Sequence, residues 1–508
     1  MSKIISQGSE YKTKIKKGID TVYELVSGTL GPYGYGVALD RGFSVPLIAD
    51  DGVSIVRAIE LDDDIERQGM AMIKEVASKT NEQAGDGTTT SIVLAHSLIT
   101  EGLKYSENPI EIRRLLEKAK NKVVDELKKI AKPIKTDKEI LEIATISAGS
   151  EELGQQIAMV FKSVGKDGIV SVEEGKLPDT QVSTVDGYEV ERGFISPYMQ
   201  NKENKAEFSK TRVMVIGEKL SSVAELLPIL NKLIEKGIRE FVIFCPDMDI
   251  AIVNMLLLNK QQGIFNCLAV KADSQKNEIL EDIALVTGAK LISKSAGFKL
   301  EDIKIDDLGE AERITSSKDK TIIINGKGKV KDKITELKFQ LISNKNENEY
   351  DLIEQRIGRL KNNIAVISVG ARTETEMRDK YLKTEDAVNS VKSALEEGIV
   401  EGGGMTLYKI SKMLDDKDIG ERIMKAALHS PIKKIIENCG QDYADIMMAM
   451  PKGMGYNAQN NSYVDMLKEG IIDPVKVERC CLENAVSFAG TFLTSKACIA
   501  TKTEKKDE

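Results

Sequence analysis

A hexapeptide, Gly85-Asp86-Gly87-Thr88-Thr89-Thr90, stands directly before a stretch with helical spacing of apolar residues. Two glycines let the backbone close on an anion and three hydroxyls can donate to it. The helix start adds unpaired amides and the positive end of a dipole. An aspartate beside phosphate is unfavourable unless a divalent cation lies between them, so the combination predicts a magnesium–nucleotide site. It is not a P-loop: no GxxxxGK[ST] occurs and the loop holds no lysine. Taken alone, the hexapeptide also reads as a capped, glycine-rich turn.

Four other places carry groups that chemistry could use, each with a plainer reading. Thr29-Leu30-Gly31-Pro32, followed by Tyr33-Gly34, is a turn initiated by proline. Asp50-Asp51-Gly52 reads as a solvated β-turn, and Gly402-Gly403-Gly404 as a helix stop. Asp386, in Thr384-Glu385-Asp386-Ala387, would ordinarily be a surface acid. Only two histidines occur, His96 and His429, which leaves little material for a histidine metal site or a Ser-His-Asp triad. The six cysteines show no CxxC spacing, and a reduced compartment is the simpler reading. The chemistry therefore falls to carboxylates, hydroxyls, backbone amides and a metal held by oxygen.

The elements that must position these residues follow from periodicity. Apolar residues three and four apart predict helices over Ile65 to Ala84, Ser91 to Tyr105 and Pro109 to Ile130. Between Gly36 and Val56 the texture becomes short β-rich runs, VALD and PLIADDGVSIV, which predict a hairpin. From Val182 to Val369 strand-like runs (RVMVIG, EFVIFC, CLAVKA, KLIS, TIIING, IAVISV) alternate with amphipathic helices, an α/β texture. A long helix begins after Thr373, with Thr373-x-x-Glu376 as a capping box. It stops at Gly398 and the glycine cluster, and the C-terminal third is helical again.

At 508 residues, ~150 per domain suggests about three domains. Apolar residues at 41% and charged residues at 30% are ordinary for a globular chain, and tryptophan is absent, so aliphatic side chains must fill the cores. A net charge of −8 argues against nucleic acid as the main partner. The longest apolar runs are far too short to span a bilayer, so no membrane is expected, and the first residues look like neither a signal nor a transit peptide.

The joint occurrence of these motifs decides among the readings. The sequence resembles the group I (GroEL-type) chaperonins from about Lys12 to Thr501. TLGP, KEVASKTNEQAGDGTTT, TISAGS, VGKDGIVSVEEG, ERGFISPY, DIALVTGAKLIS, EDAVNSVKSALEEGIVEGGG, GYNA and GIIDPVKV occur in family order. The resemblance implies a mixed α and α/β fold of three domains. An all-helical equatorial domain with small β-hairpins would comprise 1–129 and 397–508. A small α+β intermediate domain would comprise 130–186 and 365–396, and an α/β apical domain 187–364. It implies an ATPase using ATP and Mg²⁺, with K⁺ as a further candidate ion, that folds non-native polypeptides in a cavity closed by a GroES-type co-chaperonin. Homo-oligomeric seven-membered rings, single or stacked in two, are implied as well. A bacterial cytoplasm is expected, with an organelle matrix as the alternative.

By the same resemblance Thr29, Leu30, Gly31 and Pro32 would wrap the phosphates. Asp86 would hold magnesium, and Gly87, Thr88, Thr89 and Thr90 would donate to phosphate oxygens. Gly403, Asn457, Ala458, Ile471 and Asp473 would pocket base and ribose, and Asp51 with Asp386 would orient the attacking water. Phe194, Ser196, Tyr198, Met199, Leu227, Leu230, Val253, Leu257 and Leu258 match the substrate groove. Three consecutive leucines span most of a helical turn, so at least one must face away from a single core face. The sequence departs from the family at the Asn362-Asn363 hinge, where two glycines are expected; the other hinge glycine is kept as Gly187. Lys271-Ala272-Asp273-Ser274 is a shortened turn. Asp50 and Tyr33 stand where lysines are expected. Asp50 puts negative charge beside the phosphates and is expected to weaken ATP binding or shift its metal dependence. A passive holder of unfolded chains, with ATP use uncoupled, is the alternative function.

Overall fold

The fold was determined as a computed structural model, which describes residues 3–41, 44–165, 168–175, 177–202, 205–272, 278–293, 297–298, 300–343, 353, 356–360 and 363–502. The chain forms two compact units, one of 1–162, 172–181 and 368–508, the other of 163–171 and 182–367.

The first unit is helical. Helices Gly8–Ser27, Asp64–Ala84, Thr88–Gly102, Pro109–Ile130 and Val475–Thr494 bury a shared aliphatic core that includes Ile15, Ile19, Ile73, Ile92, Leu98, Leu116, Val486 and Phe492. The predicted helices are present, each within a few residues of its expected bounds. Their starts are fixed by side chains. Asp63 accepts from the amides of Ile65 and Glu66, and Asn108 from that of Ile110 ahead of Pro109. The expected hairpin forms from Val37–Arg41 and Ser44–Ala49. Its continuation differs: GVSIV is the helix Gly52–Ala58 rather than strand. The Asp51 carboxylate accepts from the amides of Val53 and Ser54, and this N-cap outweighs the β preference of a valine- and isoleucine-rich run.

The helix Glu374–Glu397 also lies in the first unit. Thr373 Oγ1 accepts from the Glu376 amide at 3.2 Å, half of the expected capping box. The other half is shifted by one residue, because Glu376 Oε2 takes the amide of Arg372. The helix ends at Gly398, whose φ of 86° suits glycine.

The second unit is built on a mixed sheet, and every strand-like run named above is a strand in it. Asn363–Val369, Gln181–Val190, Thr321–Gly326, Gly309–Ser316, Ala206–Ile216, Glu240–Cys245 and Asn266–Lys271 lie side by side in that order. The last three run parallel, joined through the helices Val223–Glu235 and Ile250–Gln261. Their central stretches, Val213–Ile216, Phe241–Cys245 and Cys267–Val270, are apolar and buried, as a sheet covered on both faces requires. Gly187 is packed so tightly that a Cβ there would lie 2.0 Å from Ile364 Cδ1. Asn362, Asp273 and Ser274 lie outside the described residues, so the expectations for the asparagine hinge and the shortened turn have no structural counterpart.

Leu230, on Val223–Glu235, is only 2% exposed and belongs to the sheet's core, whereas Leu227 on the same helix is 45% exposed. Leu230→Ala should therefore cost about 2–5 kcal/mol, and Leu227→Ala less than about 0.5 kcal/mol. Denaturant melts followed by a probe confined to the α/β unit check the contrast.

Candidate nucleotide site

Two left-handed glycines make the first half of the site. Gly85, at φ 71°, ends the helix Asp64–Ala84, and Gly87, at φ 83°, starts the helix Thr88–Gly102. The chain turns between two helices in three residues and leaves the first amides of the second helix without intrahelical partners. The loop is clamped from two sides. A Cβ on Gly87 would stand 2.6 Å from both Cys481 Sγ and Val477 Cγ1, and Cys481 Sγ donates to Gly87 O. A Cβ on Gly85 would meet Asn389 at 2.3 Å, and Ser393 Oγ donates to Ala84 O. No side chain larger than hydrogen fits either position.

The Thr29–Pro32 turn meets this loop. Thr29 Oγ1 and Thr89 Oγ1 are 3.3 Å apart. The turn is closed by Gly34 N–H donating to Gly31 O, with Gly31 at φ 89°. It is stapled by Asn438, whose amide donates to Ser27 O and Leu30 O at 3.0 and 2.9 Å. Sequence reasoning missed Asn438, since an asparagine at a helix C-terminus gives no signal of a contact so distant in the chain. Tyr33, the departure from the expected lysine, donates its hydroxyl to Gln459 O in the segment after Asn457.

Asp86 is oriented by three donors. Its Oδ1 takes the Gly87 amide at 2.5 Å, and its Oδ2 takes the hydroxyls of Ser147, at 2.9 Å, and Ser390. Ser147 lies in TISAGS, a matched motif without an assigned role, and Ser390 one helical turn after Asp386; those were the available signals. Asp51 is brought to the same place because Gly52 lacks a side chain. A Cβ there would lie 2.8 Å from the hydroxyls of both Thr88 and Thr89. Asp386 is half-buried on the Glu374–Glu397 helix. Loss of hydration, then the charges of Asp51 and Asp86, hold its carboxyl well above the usual range.

The second half of the site is the glycine cluster. Val400 pairs with Asp473 across two short strands, and Asp473 Oδ2 accepts from Gly403 N–H at 3.0 Å. Gly402 is held by Ile471 O. Asn457 Oδ1 accepts from the Gln459 amide, and Ala458 and Ile471 pack with Tyr456, Ile436 and Met466 in one apolar cluster. The nucleotide-site residues expected from the sequence thus all lie within the first unit, Asp386 on the Glu374–Glu397 helix and the others at loops and element ends.

Among the described residues no three histidine, cysteine or carboxylate side chains form a ready metal cage. Magnesium does not need one. It takes one or two carboxylates and completes its shell with phosphate oxygens and water. A single oriented Asp86 amid uncompensated acids fits that donor set, so the residues present suit the ion.

In the second unit the nine groove positions divide. Tyr198, Leu227 and Leu258 are exposed, Ser196 and Leu257 half-buried, and Phe194, Met199, Leu230 and Val253 buried in the core. Ile250, 77% exposed at the start of the leucine-bearing helix, joins the exposed apolar set and was not anticipated. That helix is buried through Ile252, Val253 and Leu256, so Leu258 faces outward, as three consecutive leucines require.

Asp473 also lies against Glu478, and the two share a hydrogen bond. Burial, then the charge of Asp86, pushes Asp473 up to about 6; burial, then the charge of Asp473, raises Glu478 further. Both folded values exceed the unfolded ones. Asp473's share of the stabilisation is therefore complete below the ordinary carboxylate range and lost as pH rises through about 6, and Glu478's share is lost as pH rises through its own raised value. Without nucleotide, the protein should lose roughly 1–2 kcal/mol between pH 5 and pH 7. Glu478→Gln should flatten that slope, as urea midpoints measured across the range will check.

A sequence profile of the TCP-1/cpn60 chaperonin family matches residues 22–503. Among solved structures, the fold is similar to that of the chaperonin gp146 from the bacteriophage EL 2 (Pseudomonas aeruginosa), crystallised in the presence of ATP-BeFx. Crystal form II matches with a TM-score of 0.69 at 21% identity, covering 98% of this chain and 100% of that one. Crystal form I matches with a TM-score of 0.63, also at 21% identity, covering 98% and 99%. With a profile match across nearly its whole length and the motifs of the GroEL type in order, the chain belongs to the TCP-1/cpn60 chaperonin family as a group I-type member.

Proposed function

We propose that this chain is the subunit of an ATP-driven folding ring, which captures non-native polypeptides and releases them into a cavity closed by a GroES-type co-chaperonin. The observation that carries the reading is the gathering of Asp51, Asp86 and Asp386 at the open start of the Thr88–Gly102 helix. Amides of Gly87 to Thr90 and the hydroxyls of Thr29 and Thr89 would donate to phosphate oxygens. Asp473 and Gly403 would meet the ribose, while Ala458 and Ile471 would line the base. Asp86 would hold Mg²⁺, whose chemistry there is to neutralise phosphate charge. Asp51, fixed by the Val53 and Ser54 amides, and Asp386 would orient the attacking water. Oxygen–phosphorus bond formation to water accompanies loss of the bridging oxygen with ADP. Asp386, whose proton affinity is raised by burial and by its acidic neighbours, is the carboxylate suited to accept the water's proton.

Capture is assigned to the exposed Tyr198, Leu227, Ile250 and Leu258, with the half-buried Leu257 next to the last, since apolar surface of this kind marks binding sites. Assembly is supported by the strands Lys3–Gln7 and Ala497–Thr501. They form a sheet of only two strands, marginal by itself, that displays the cross-strand neighbours Ile5 and Ile499 at 64% and 65% exposure. In the family's plan, segments 130–186 and 365–396 carry Asp386 to and from the equatorial residues and so couple hydrolysis to shape. The passive-holder alternative keeps the strip but not the cycle. The electrostatic objection raised by Asp50 loses force, because Lys383 pairs with it.

Asp386→Ala should leave ATP binding and assembly intact and lower turnover at least about 100-fold; steady-state phosphate release beside nucleotide titrations checks this, and near-normal turnover removes the mechanism. Leu258→Glu and Leu227→Glu should abolish retention of a denatured client while sparing basal ATPase. Co-sedimentation of an unfolded test protein reads the outcome, and unchanged retention moves the client surface elsewhere.

A further inference from the structure

Asp50 stands where the resemblance leads one to expect a lysine, and the structure shows what became of its charge. Lys383 Nζ lies 2.8 Å from Asp50 Oδ2 and 3.1 Å from Asp379 Oδ1. Asp379, Lys383 and Asp386 follow one another at single-turn intervals on the Glu374–Glu397 helix. Asp50 belongs to the loop between Ser44–Ala49 and Gly52–Ala58, next to Asp51. Lys383 therefore joins the two elements that carry Asp51 and Asp386, the two carboxylates proposed to orient water.

The need for such a joint is electrostatic. The charges of Asp51, Asp86 and Asp50 all bear on Asp386, so like-charge repulsion opposes the approach of this helix to the loop. Further along the same helix Ser390 and Ser393 donate to Asp86 and to Ala84 O. Lys383, Asp386, Ser390 and Ser393 are spaced three and four apart, one stripe of a helix. Within that stripe the two serines supply neutral hydrogen bonds and Lys383 the charge that offsets the acids. The side chains of Lys383 and Asp50 keep about a third of their surface, 32% and 39%, which leaves the bond reversible.

We propose that Lys383 is a positioning residue, whose ion pair with Asp50 clips the Glu374–Glu397 helix onto the nucleotide loop and sets how often Asp386 stands opposite Asp51 and Asp86. The inference rests on the ATPase reading above and adds to it a regulating contact made by Asp50, the residue that stands where a lysine is expected. It predicts that the rate of the chemical step, and not nucleotide affinity, responds to the pair.

The test uses the assembled full-length protein in four forms: wild type, Lys383→Met, Asp50→Lys and the swap Asp50→Lys/Lys383→Asp. Single-turnover hydrolysis of pre-bound Mg-ATP should slow about threefold in Lys383→Met and about tenfold in Asp50→Lys, where two lysines face each other. That tenfold loss corresponds to ~1.4 kcal/mol. The swap should return to within about twofold of wild type, with ADP affinity not weakened in any form. Amide exchange across residues 374–397 should quicken in Asp50→Lys and recover in the swap. Hydrolysis by Asp50→Lys within about twofold of wild type, or a swap no faster than that single variant, overturns the proposal. If the wild type hydrolyses nothing, the ATPase reading fails by itself. The clip is then judged on exchange alone, and equal exchange in wild type and Asp50→Lys refutes it.

Discussion

Repulsion among Asp51, Asp86 and Asp386 is the constraint around which the first unit is arranged. Each is oriented by polar contacts or by the helix that carries it. Asp51 is fixed by two amides and Asp86 by an amide and two serines, whereas Asp386 is placed by its helix with the other two charges raising its proton affinity. Such an arrangement costs stability in the empty site, and the fold offsets it with tight packing nearby. Gly85 and Gly87 allow the loop to be pressed between two helices at distances that exclude any side chain, so the acids cannot relax apart by shifting the backbone. In the proposed function a cation bound with the polyphosphate would supply the positive charge that such a site lacks.

The same logic extends to the glycine-cluster end of the site. Asp473 is held by Gly403 and lies against Glu478, and burial pushes both carboxyls toward their neutral forms, so burial there is tolerated by neutralisation. The two ends are joined through the turn stapled by Asn438, which meets Thr89 through Thr29 and the segment after Asn457 through Tyr33. The geometry is consequently set by side chain-to-backbone bonds between segments far apart in sequence.

That distribution explains what could be read beforehand. The helices around Asp86, the hairpin and the strands of the sheet follow local periodicity, and they are where residue spacing placed them. The helix at Gly52–Ala58 was misread because its composition favours a strand while one capping aspartate decides for a helix. Residue types alone pointed to Asp86 and its threonines. Thr29, Asp51, Asp386 and Asp473 became candidates only through resemblance, because their plain readings as turn formers and surface acids are physically sound in isolation. Ser147, Ser390, Asn438 and Lys383 were not singled out, since each acts through a partner that is distant in the chain. In the α/β unit, matching positions did not reveal which side chains are available. Phe194, Met199, Leu230 and Val253 fill the core, while Tyr198, Leu227, Leu258 and Ile250 remain outside.

An aliphatic chain without tryptophan builds both cores here, and what distinguishes the two units is where charge and apolar surface are left unpaired. One unit gathers the carboxylates Asp51, Asp86 and Asp386 at a helix start and the other leaves Leu227 and Leu258 facing solvent, and in the proposed function ATP links them. The most direct measurement is to load the assembled protein with a denatured, labelled client and follow its release after mixing with Mg-ATP. The account predicts release that requires both magnesium and a hydrolysable or tightly binding nucleotide, accelerated by a GroES-type lid. A client that stays bound at the same level with and without Mg-ATP would contradict it and leave a passive holder.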